Sequence, residues 1–197
     1  MTGMTRVLSR LGGARTTWSD VGWAWLGSAL SIACLAWLER ACAQEWNLPL
    51  LIGSFGASAV LAFGAPESPL AQPRNLVGGH LLSALVGVSC QLLLGQEPTA
   101  AAALAVSTAI ALMCVTKTLH PPGGATALIA VIGGADIHRL GYWYVLLPCG
   151  AGACCMLLLA LLTNNLGARR RYPGLVPLLA EGSADQSISK LKCSRVC

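Results

Sequence analysis

The sequence predicts an all-α polytopic membrane protein, a bundle of transmembrane helices, and three observations carry this prediction. Only 11% of the 197 residues are charged, whereas about a quarter are charged in a soluble domain, and the mean hydropathy is +0.64. Charges are widely spaced, since four fall between residues 46 and 135 and none between residues 140 and 168. The intervening apolar stretches have the length of membrane-spanning helices. The lipid bilayer is therefore the expected partner.

Five long apolar stretches predict spanning helices, each with about the 17 to 25 residues that a span needs. They are residues 21–38, 48–65, 76–94, 99–115 and 141–163. The first stretch exceeds the apolar core of a signal peptide, so we expect it to remain as a span. A sixth stretch, 123–134, has about twelve residues and would cross only about two thirds of the apolar core. It predicts either a short broken span or a re-entrant segment.

Arginines at both ends of the chain predict its topology. Three precede the first stretch and residues 169–171 follow the last, so the positive-inside rule places both termini in the cytoplasm. An even number of crossings follows: six if the short stretch crosses, with four as the alternative. We predict a cytoplasmic segment 1–20, a transmembrane domain 21–166 and a disordered cytoplasmic tail 167–197. The expected location is the bacterial inner membrane.

A short internal repeat favours six crossings. GASAVLAFG at 56–64 aligns with GATALIAVI at 124–132, which places Ser58 opposite Thr126 and Ala62 opposite Ala130. Each half would then hold three crossings, and an odd number forces the two halves into opposite orientations. Inverted three-span repeats with broken or short helices that meet near the midplane are typical of secondary transporters.

The segment KTLHPPGGATA at 117–127 interrupts the apolar pattern and predicts a binding site. Pro121 and Pro122 suit the first turn of a helix, where an N–H group is not needed. The N–H groups of about residues 123–125 would then point out of the positive end of the helix dipole. Such an end favours anions, and Lys117 and His120 lie beside it without an acidic neighbour. The expected ligand is a small anion.

The stretch IGSFGASA at 52–59 offers a second helix start, with serine hydroxyls as donors. His80 lies on a helical face with small residues and is expected to point into the bundle, as a ligand or as a packed histidine. Lys117 has an alternative role as an anchor to lipid headgroups. The candidate substrate-binding residues are Gly53, Ser54, Gly56, Ser58, His80, Lys117, His120, Gly123, Gly124 and Thr126, and the candidate structural motif is Pro121, Pro122, Arg74 and Asn75.

Several function classes are disfavoured by the residue pattern. Six of the nine cysteines fall within apolar stretches, where they are expected to be reduced fillers, and no ligand spacing predicts a metal or another cofactor. The basic clusters read as topology signals, so nucleic acid is not an expected partner. The spans contain no nucleophile and base pair and no paired carboxylates, which disfavours an enzyme.

The motifs resemble a known family. GSFGASAVLAFGAPESPLAQPRNLVGGHLLSALVGV at 53–88 and TLHPPGGATAL at 118–128 look like the HPP family of integral membrane proteins, named after its His-Pro-Pro motif, over about residues 21–166. The resemblance implies a multi-spanning helical protein with about four spans. It also implies nitrite as the substrate, because members in cyanobacteria and chloroplasts are described as nitrite transporters.

Three functions follow as hypotheses. The first is a transporter or channel for a small inorganic anion, foremost nitrite, with its site at the GSFGAS and HPPGGAT segments. The second is a membrane scaffold or sensor without transport, and the third is a membrane enzyme that uses His120 or His80. A homo-oligomer is compatible with each of them.

Overall fold

The structure, a computed structural model, describes residues 17–46, 50–167 and 170–174. Within these ranges the chain forms helices and turns and no strand, which confirms the all-α polytopic bundle. The predictions for residues 1–16 and 175–197 lie outside the described residues. The elements in chain order are α1 Trp18–Trp46, α2 Gly53–Ala59 with its π-helical continuation Val60–Gly64, a 3₁₀ turn Pro69–Ala71, α3 Pro73–Leu94, α4 Pro98–Val115, α5 Pro121–Ile132, α6 Gly134–Leu140, and a π-helix Val145–Ala151 that runs into α7 Gly152–Leu166.

Local sequence explains where several helices begin. At the start of α1 the Asp20 carboxylate accepts from the Thr17 amide at 2.9 Å, and the Asp20 amide donates to the Thr17 hydroxyl at 3.3 Å. This reciprocal pair is a capping box, which satisfies N–H groups that lack helical partners. Helices α3, α4 and α5 each begin at a proline, Pro73, Pro98 and Pro121. Proline suits this position because its fixed φ is helical and its missing N–H is not needed there.

Four helices are long and apolar enough to cross a membrane, namely Trp18–Ala41, Pro73–Leu94, Pro98–Val115 and Val145–Leu166. Two shorter apolar helices, Gly53–Gly64 and Pro121–Ile132, each extend about 18 Å at 1.5 Å per residue. We call them the first and second short helices. The prediction of a full-length span at 48–65 was therefore wrong. Ile52 is extended and Ala65 leaves the helical region because Pro66 follows it, so only the middle of this stretch is helical.

Helix α3 fixes the direction of the second short helix. A Cβ added at Gly79 would lie 2.5 Å from the Cβ of His120, and one added at Gly87 would lie 2.6 Å from the Ala127 carbonyl oxygen. Both helices therefore run the same way and touch through glycines, which permits close approach. We call the end of the bundle where α3 begins the proximal end and the opposite end the distal end.

Helix α7 returns in the opposite direction to α3. The Tyr142 hydroxyl, which precedes α7, lies 3.1 Å from the Ser89 hydroxyl near the distal end of α3. Further along, a Cβ added at Gly150 would lie 3.2 Å from Leu81, which is closer to the proximal end. The second short helix therefore carries the chain from the proximal to the distal end, and α7 brings it back.

The first half of the chain follows the reverse plan. The first short helix runs parallel to α7, since Phe55 packs at Gly152 and the Ala62 carbonyl accepts from Asn164 at 2.9 Å. Helix α1 runs antiparallel to α7. The Cys34 sulfur near the middle of α1 lies 3.7 Å from the Cys155 sulfur near the start of α7, and the first part of α1 contacts the end of α7. The chain thus passes six times between the two ends, and the first three passages are opposite in direction to the last three. This is the arrangement that the inverted repeat predicts.

The outer surface of the bundle suits lipid. Large apolar side chains stand exposed on several helices, including Trp25, Leu93, Val115 and Leu162. An exposed apolar surface of this kind is unfavourable in water and favourable in hydrocarbon. The chain is therefore a multi-pass integral membrane protein.

Residues 170–174 fold back onto the proximal end. Arg170 is buried and donates to the Phe63 carbonyl and, at 3.1 Å, to the side-chain oxygen of Asn164. The Tyr172 hydroxyl donates to the Ala71 carbonyl at 2.7 Å. Arg170 was expected to be a cytoplasmic topology signal at the start of a disordered tail. It is instead part of the packed bundle, because the carbonyls at the end of the first short helix need a donor and attract positive charge.

Candidate functional site

A cluster of five polar side chains lies where the two short helices meet α3. Its members are Ser54, Ser58, His80, His120 and Thr126, and each is fully buried. We call this group the histidine cluster. All five were predicted from the sequence as candidate substrate-binding residues, and the structure brings them together.

His80 joins the two halves of the molecule. Its Nε2 lies 2.7 Å from the Ser58 hydroxyl on the first short helix, and its Nδ1 lies 2.7 Å from the Thr126 hydroxyl on the second. Ser58 and Thr126 occupy equivalent positions of the internal repeat. One imidazole thus bonds to the same position in both halves, which puts it at the point where the inverted halves meet.

His120 extends the network towards the proximal end. Its Nδ1 lies 2.8 Å from the Leu70 carbonyl oxygen, and its Nε2 lies 2.9 Å from the Ser58 hydroxyl. A carbonyl accepts but cannot donate, so Nδ1 carries the hydrogen, and in a neutral ring Nε2 is then an acceptor. The centroids of the His80 and His120 rings are 5.2 Å apart.

The remaining bonds close the cluster on its other side. The Thr126 hydroxyl donates to Ser54 at 2.9 Å and lies 3.3 Å from the Pro122 carbonyl, as is common for threonine in a helix. The Tyr144 hydroxyl donates to the Thr126 carbonyl at 3.1 Å. Each polar side chain of the cluster therefore has partners, as buried polar groups require.

Close packing holds the cluster in place. The Phe55 ring lies 5.0 Å from the His80 ring, measured between centroids. A Cβ at Gly123 would lie 2.7 Å from the Ser83 hydroxyl and 3.0 Å from the Met113 sulfur, so only glycine fits at this point. The second short helix consequently packs directly against α3 and α4.

The cluster lies within the spanning part of the bundle. His80 is seven residues from the start of α3, which places it about 10 Å along a helix of about 33 Å. Polar and ionisable side chains at such a depth are costly and usually mark a pathway or a binding site.

The Gly123 amide, one of the three predicted backbone donors, is not free for an anion. The Gly123 amide donates to the His120 carbonyl at 2.8 Å, and the two residues before it are prolines without an N–H. In the first short helix the Phe55 amide donates to the Ile52 carbonyl at 3.0 Å in the same way. A tight first turn therefore uses these donors internally, and the donors that converge are side chains.

Besides Gly123, which packs beside the cluster, four predicted site residues lie outside it. Gly53 and Gly56 are exposed on the outer face of the first short helix, with nothing within 4 Å of an added Cβ. Gly124 is half-buried beside Val106. Lys117 is exposed and has φ 57°, because it ends α4 in a Schellman motif in which the Thr118 amide donates to the Met113 carbonyl.

Arg74 and Asn75 attach the loop before the second short helix to α3. The Arg74 guanidinium donates to the Thr116 carbonyl, and the Asn75 side-chain amide donates to the Leu119 carbonyl at 2.8 Å. These bonds position His120. The structural role that the sequence predicted for the two residues is consistent with this geometry.

Two basic side chains that sequence reasoning missed occupy equivalent places. Arg170 donates to the Phe63 carbonyl, and His138 Nε2 lies 2.9 Å from the Val131 carbonyl. Phe63 and Val131 are matched by the internal repeat, so each short helix ends on a carbonyl that a basic group covers. The repeat matches the two carbonyls, but no signal in the sequence links either basic residue to them.

A groove of about 1240 Å³ lies apart from the cluster, between α1 and the first short helix. Its lining includes Trp25, Ile32 and Val60, with Asp20 and Glu67 near one end. None of the cluster side chains lines it. The described residues also contain no group of three or more His, Cys, Asp and Glu side chains placed to hold a metal ion.

Comparisons with known proteins agree with this architecture. The family described as "HPP, transmembrane region" matches residues 13–173. Two transmembrane proteins of Dictyostelium discoideum are each 48% identical, one over 162 residues and 81% of this chain, the other over 157 residues and 78%. The matches cover 52% and 55% of those proteins, so the chain spans about half their length. No solved structure matches. With most of its length inside the matched region, the chain belongs to the HPP transmembrane family.

Proposed function

We propose that this protein is a transporter or channel for a small inorganic anion, foremost nitrite, and that the histidine cluster is its binding site. One observation carries the proposal: each half of an inverted bundle contributes a hydroxyl from its short helix, Ser58 or Thr126, to the same buried imidazole, His80. Secondary transporters place their substrate sites at such a point. The resemblance to HPP members that are described as nitrite transporters supports the choice of nitrite.

The chemistry of the cluster fits a small anion. Hydroxyl and imidazole N–H groups donate hydrogen bonds to anions, and no carboxylate among the described residues bonds to the cluster. An anion that enters would exchange the bonds between Ser58, Thr126 and His80 for bonds to itself. Because these residues belong to different halves, binding would loosen the contact between the halves, which is what alternating access requires.

We also propose a bacterial inner-membrane location with the proximal end in the cytoplasm. Helix α1 begins at the proximal end and α7 ends there. The exposed side chains of Arg74, Lys117 and Arg171 lie at the same end. Basic residues favour the cytoplasmic side.

The test is anion uptake by the full-length protein in liposomes, with nitrite, nitrate and chloride compared. Uptake of at least one anion is expected, and His80→Gln is expected to lower it at least tenfold. The matched control is His138→Gln, which removes the one histidine outside the cluster and should keep most of the flux. If no anion enters, the protein is a scaffold or sensor and the proposal fails. Equal loss in both variants would place the site elsewhere.

A further inference from the structure

We infer that the histidine cluster binds one proton together with the anion, so that transport is electroneutral proton–anion symport. This inference rests on the proposed function. It is carried by the arrangement of donors and acceptors around Ser58, which two imidazole rings approach at once.

The hydrogen count at Ser58 is the first step. His120 donates from Nδ1 to the Leu70 carbonyl, so its neutral ring presents Nε2 as an acceptor. The Thr126 hydroxyl donates to Ser54, so His80 must donate to Thr126 from Nδ1, and its neutral ring also presents Nε2 as an acceptor. Both acceptors face the single hydroxyl hydrogen of Ser58, at 2.7 and 2.9 Å. As long as Thr126 donates to Ser54, the cluster is one hydrogen short.

One added proton completes the network. If either imidazole becomes doubly protonated, its Nε2 donates to the Ser58 oxygen while the Ser58 hydrogen is donated to the other ring. Every bond around Ser58 is then made. The proton-free cluster reaches the same completeness when the Thr126 hydroxyl rotates to donate to His80 Nδ1, since a hydroxyl turns freely. Proton binding therefore needs the rotation of one hydroxyl and no movement of a helix.

A second proton does not fit. Two doubly protonated rings with centroids 5.2 Å apart would repel each other. Both Nε2 atoms would also donate to Ser58, which would leave the hydroxyl hydrogen of this buried serine without an acceptor among the bonds of the cluster. The stoichiometry is therefore one proton for the pair.

Among the described residues, no group that bonds to the two imidazoles carries a counter-charge for that proton. The first short helix supplies hydroxyls, the second supplies Thr126, and α4 supplies Met113. Two buried titratable groups on neighbouring elements are Tyr144, whose hydroxyl donates to the Thr126 carbonyl, and Cys149 on the π-helix before α7. Arg74 and Lys117 are exposed at the proximal end.

This absence of a counter-charge couples the two ligands. A buried positive charge without a partner is strongly disfavoured, and so is a buried anion. When both occupy the cluster, each neutralises the other, so binding of one raises the affinity for the other by the same factor.

The experiment measures whether anion uptake follows a proton gradient or a voltage. Full-length protein in liposomes is given nitrate, whose uncharged acid is negligible, and nitrite, with protein-free liposomes as the control for passive entry of nitrous acid. A gradient of one pH unit, acidic outside, should drive about a tenfold accumulation of anion, since one unit is about 1.4 kcal/mol. A potassium and valinomycin potential should leave uptake unchanged.

Direct proton uptake provides a second readout. Addition of nitrate or nitrite to the protein in weakly buffered detergent should remove one proton per bound anion from solution. The double variant H80Q/H120Q should show none, and H138Q should behave like the natural protein.

Each outcome has a meaning. Anion flux that follows voltage and ignores the proton gradient overturns the symport inference and leaves the transport proposal intact. No flux for any anion overturns both. If the double variant does not fold, the gradient measurement on the natural protein still decides.

Discussion

At the scale of single residues, Ser58 connects the two histidines of the cluster. Its one hydroxyl bridges His80 and His120, which belong to different helices, and all three are fully buried. Residue types alone suggested Ser58 and the histidines as candidates. The shared hydroxyl was not predictable, because it depends on how α3 packs against both short helices.

Ser58→Ala is expected to lower the stability of the protein. The change leaves two buried imidazole nitrogens without a partner, and each unsatisfied buried group costs about 1–3 kcal/mol. Thermal unfolding in detergent measures the loss. Ser107→Ala is the matched control, because Ser107 is exposed on α4 and bonds only to its own helix. Equal melting temperatures for both variants would contradict the bridging role.

Gly79→Ala is expected to destabilise the protein by about 1–3 kcal/mol through overpacking. The added methyl would lie 2.5 Å from the His120 Cβ and 3.0 Å from the Thr118 carbonyl oxygen, which is backbone and gives way poorly. Gly22→Ala is the control, since nothing lies within 4 Å of its added Cβ and alanine favours a helix by about 0.5–1 kcal/mol. Opposite shifts of the melting temperature are the expected result.

At the scale of elements, the two short helices show that hydropathy predicts where a membrane helix lies but not where it begins and ends. The apolar stretch 48–65 is long enough for a span, yet its helix begins at Gly53 and ends at Gly64. Hydropathy counts apolar side chains and does not detect the non-helical residues at each end, such as Ile52 and Ala65. The Gly123 amide was predicted to be free and is not, since a first turn closed by an i to i+3 bond is set by backbone angles.

Oxidation is expected to join α1 to α7 through a disulfide between Cys34 and Cys155. Their sulfurs are 3.7 Å apart and both residues are half-buried, so a small rotation brings them to bonding distance. Treatment with copper phenanthroline followed by peptide mass spectrometry measures the crosslink. Cys34→Ser should abolish it. A crosslink from Cys34 to Cys114 instead would contradict the antiparallel packing of these helices.

Arg170→Leu is expected to destabilise the proximal end by about 1–3 kcal/mol, because the Phe63 carbonyl and the Asn164 side chain lose their donor. Arg139→Leu is the control, as its guanidinium is exposed and pairs only with exposed Asp136. Thermal unfolding compares the two. A larger effect at Arg139 would contradict the capping role of Arg170.

At the scale of the whole molecule, the sequence repeat predicted the inverted plan correctly, and the contacts explain why. The same offset pairs Ser58 with Thr126 and Phe63 with Val131, and each pair makes equivalent bonds. An internal repeat can be detected in a sequence because the same contacts, needed twice, require similar residues twice. The packing of residues 170–174 against the proximal end could not be predicted, since it has no counterpart in the first half.

The six passages predict that Glu97 lies on the opposite side of the membrane from both Lys117 and Arg171. With only four crossings and two re-entrant segments, Glu97 would instead share the side of the chain termini. Single cysteines at these positions, in a variant without the nine natural cysteines, can be labelled with a membrane-impermeant maleimide. Labelling of Lys117→Cys and Arg171→Cys from one face and of Glu97→Cys from the other is expected, and labelling of Glu97→Cys and Arg171→Cys from the same face would contradict the six passages.

The pseudo-twofold relation ends at the residues that open the two short helices. Ile52 and His120 stand at matched positions, both extended, yet one is aliphatic and the other ionisable. The backbones of the two halves are therefore close to symmetric at this point, whereas the side chains are not. A molecule of this kind is expected to work as a rectifier, with unequal half-saturation concentrations when the same anion is offered first from one face of the membrane and then from the other.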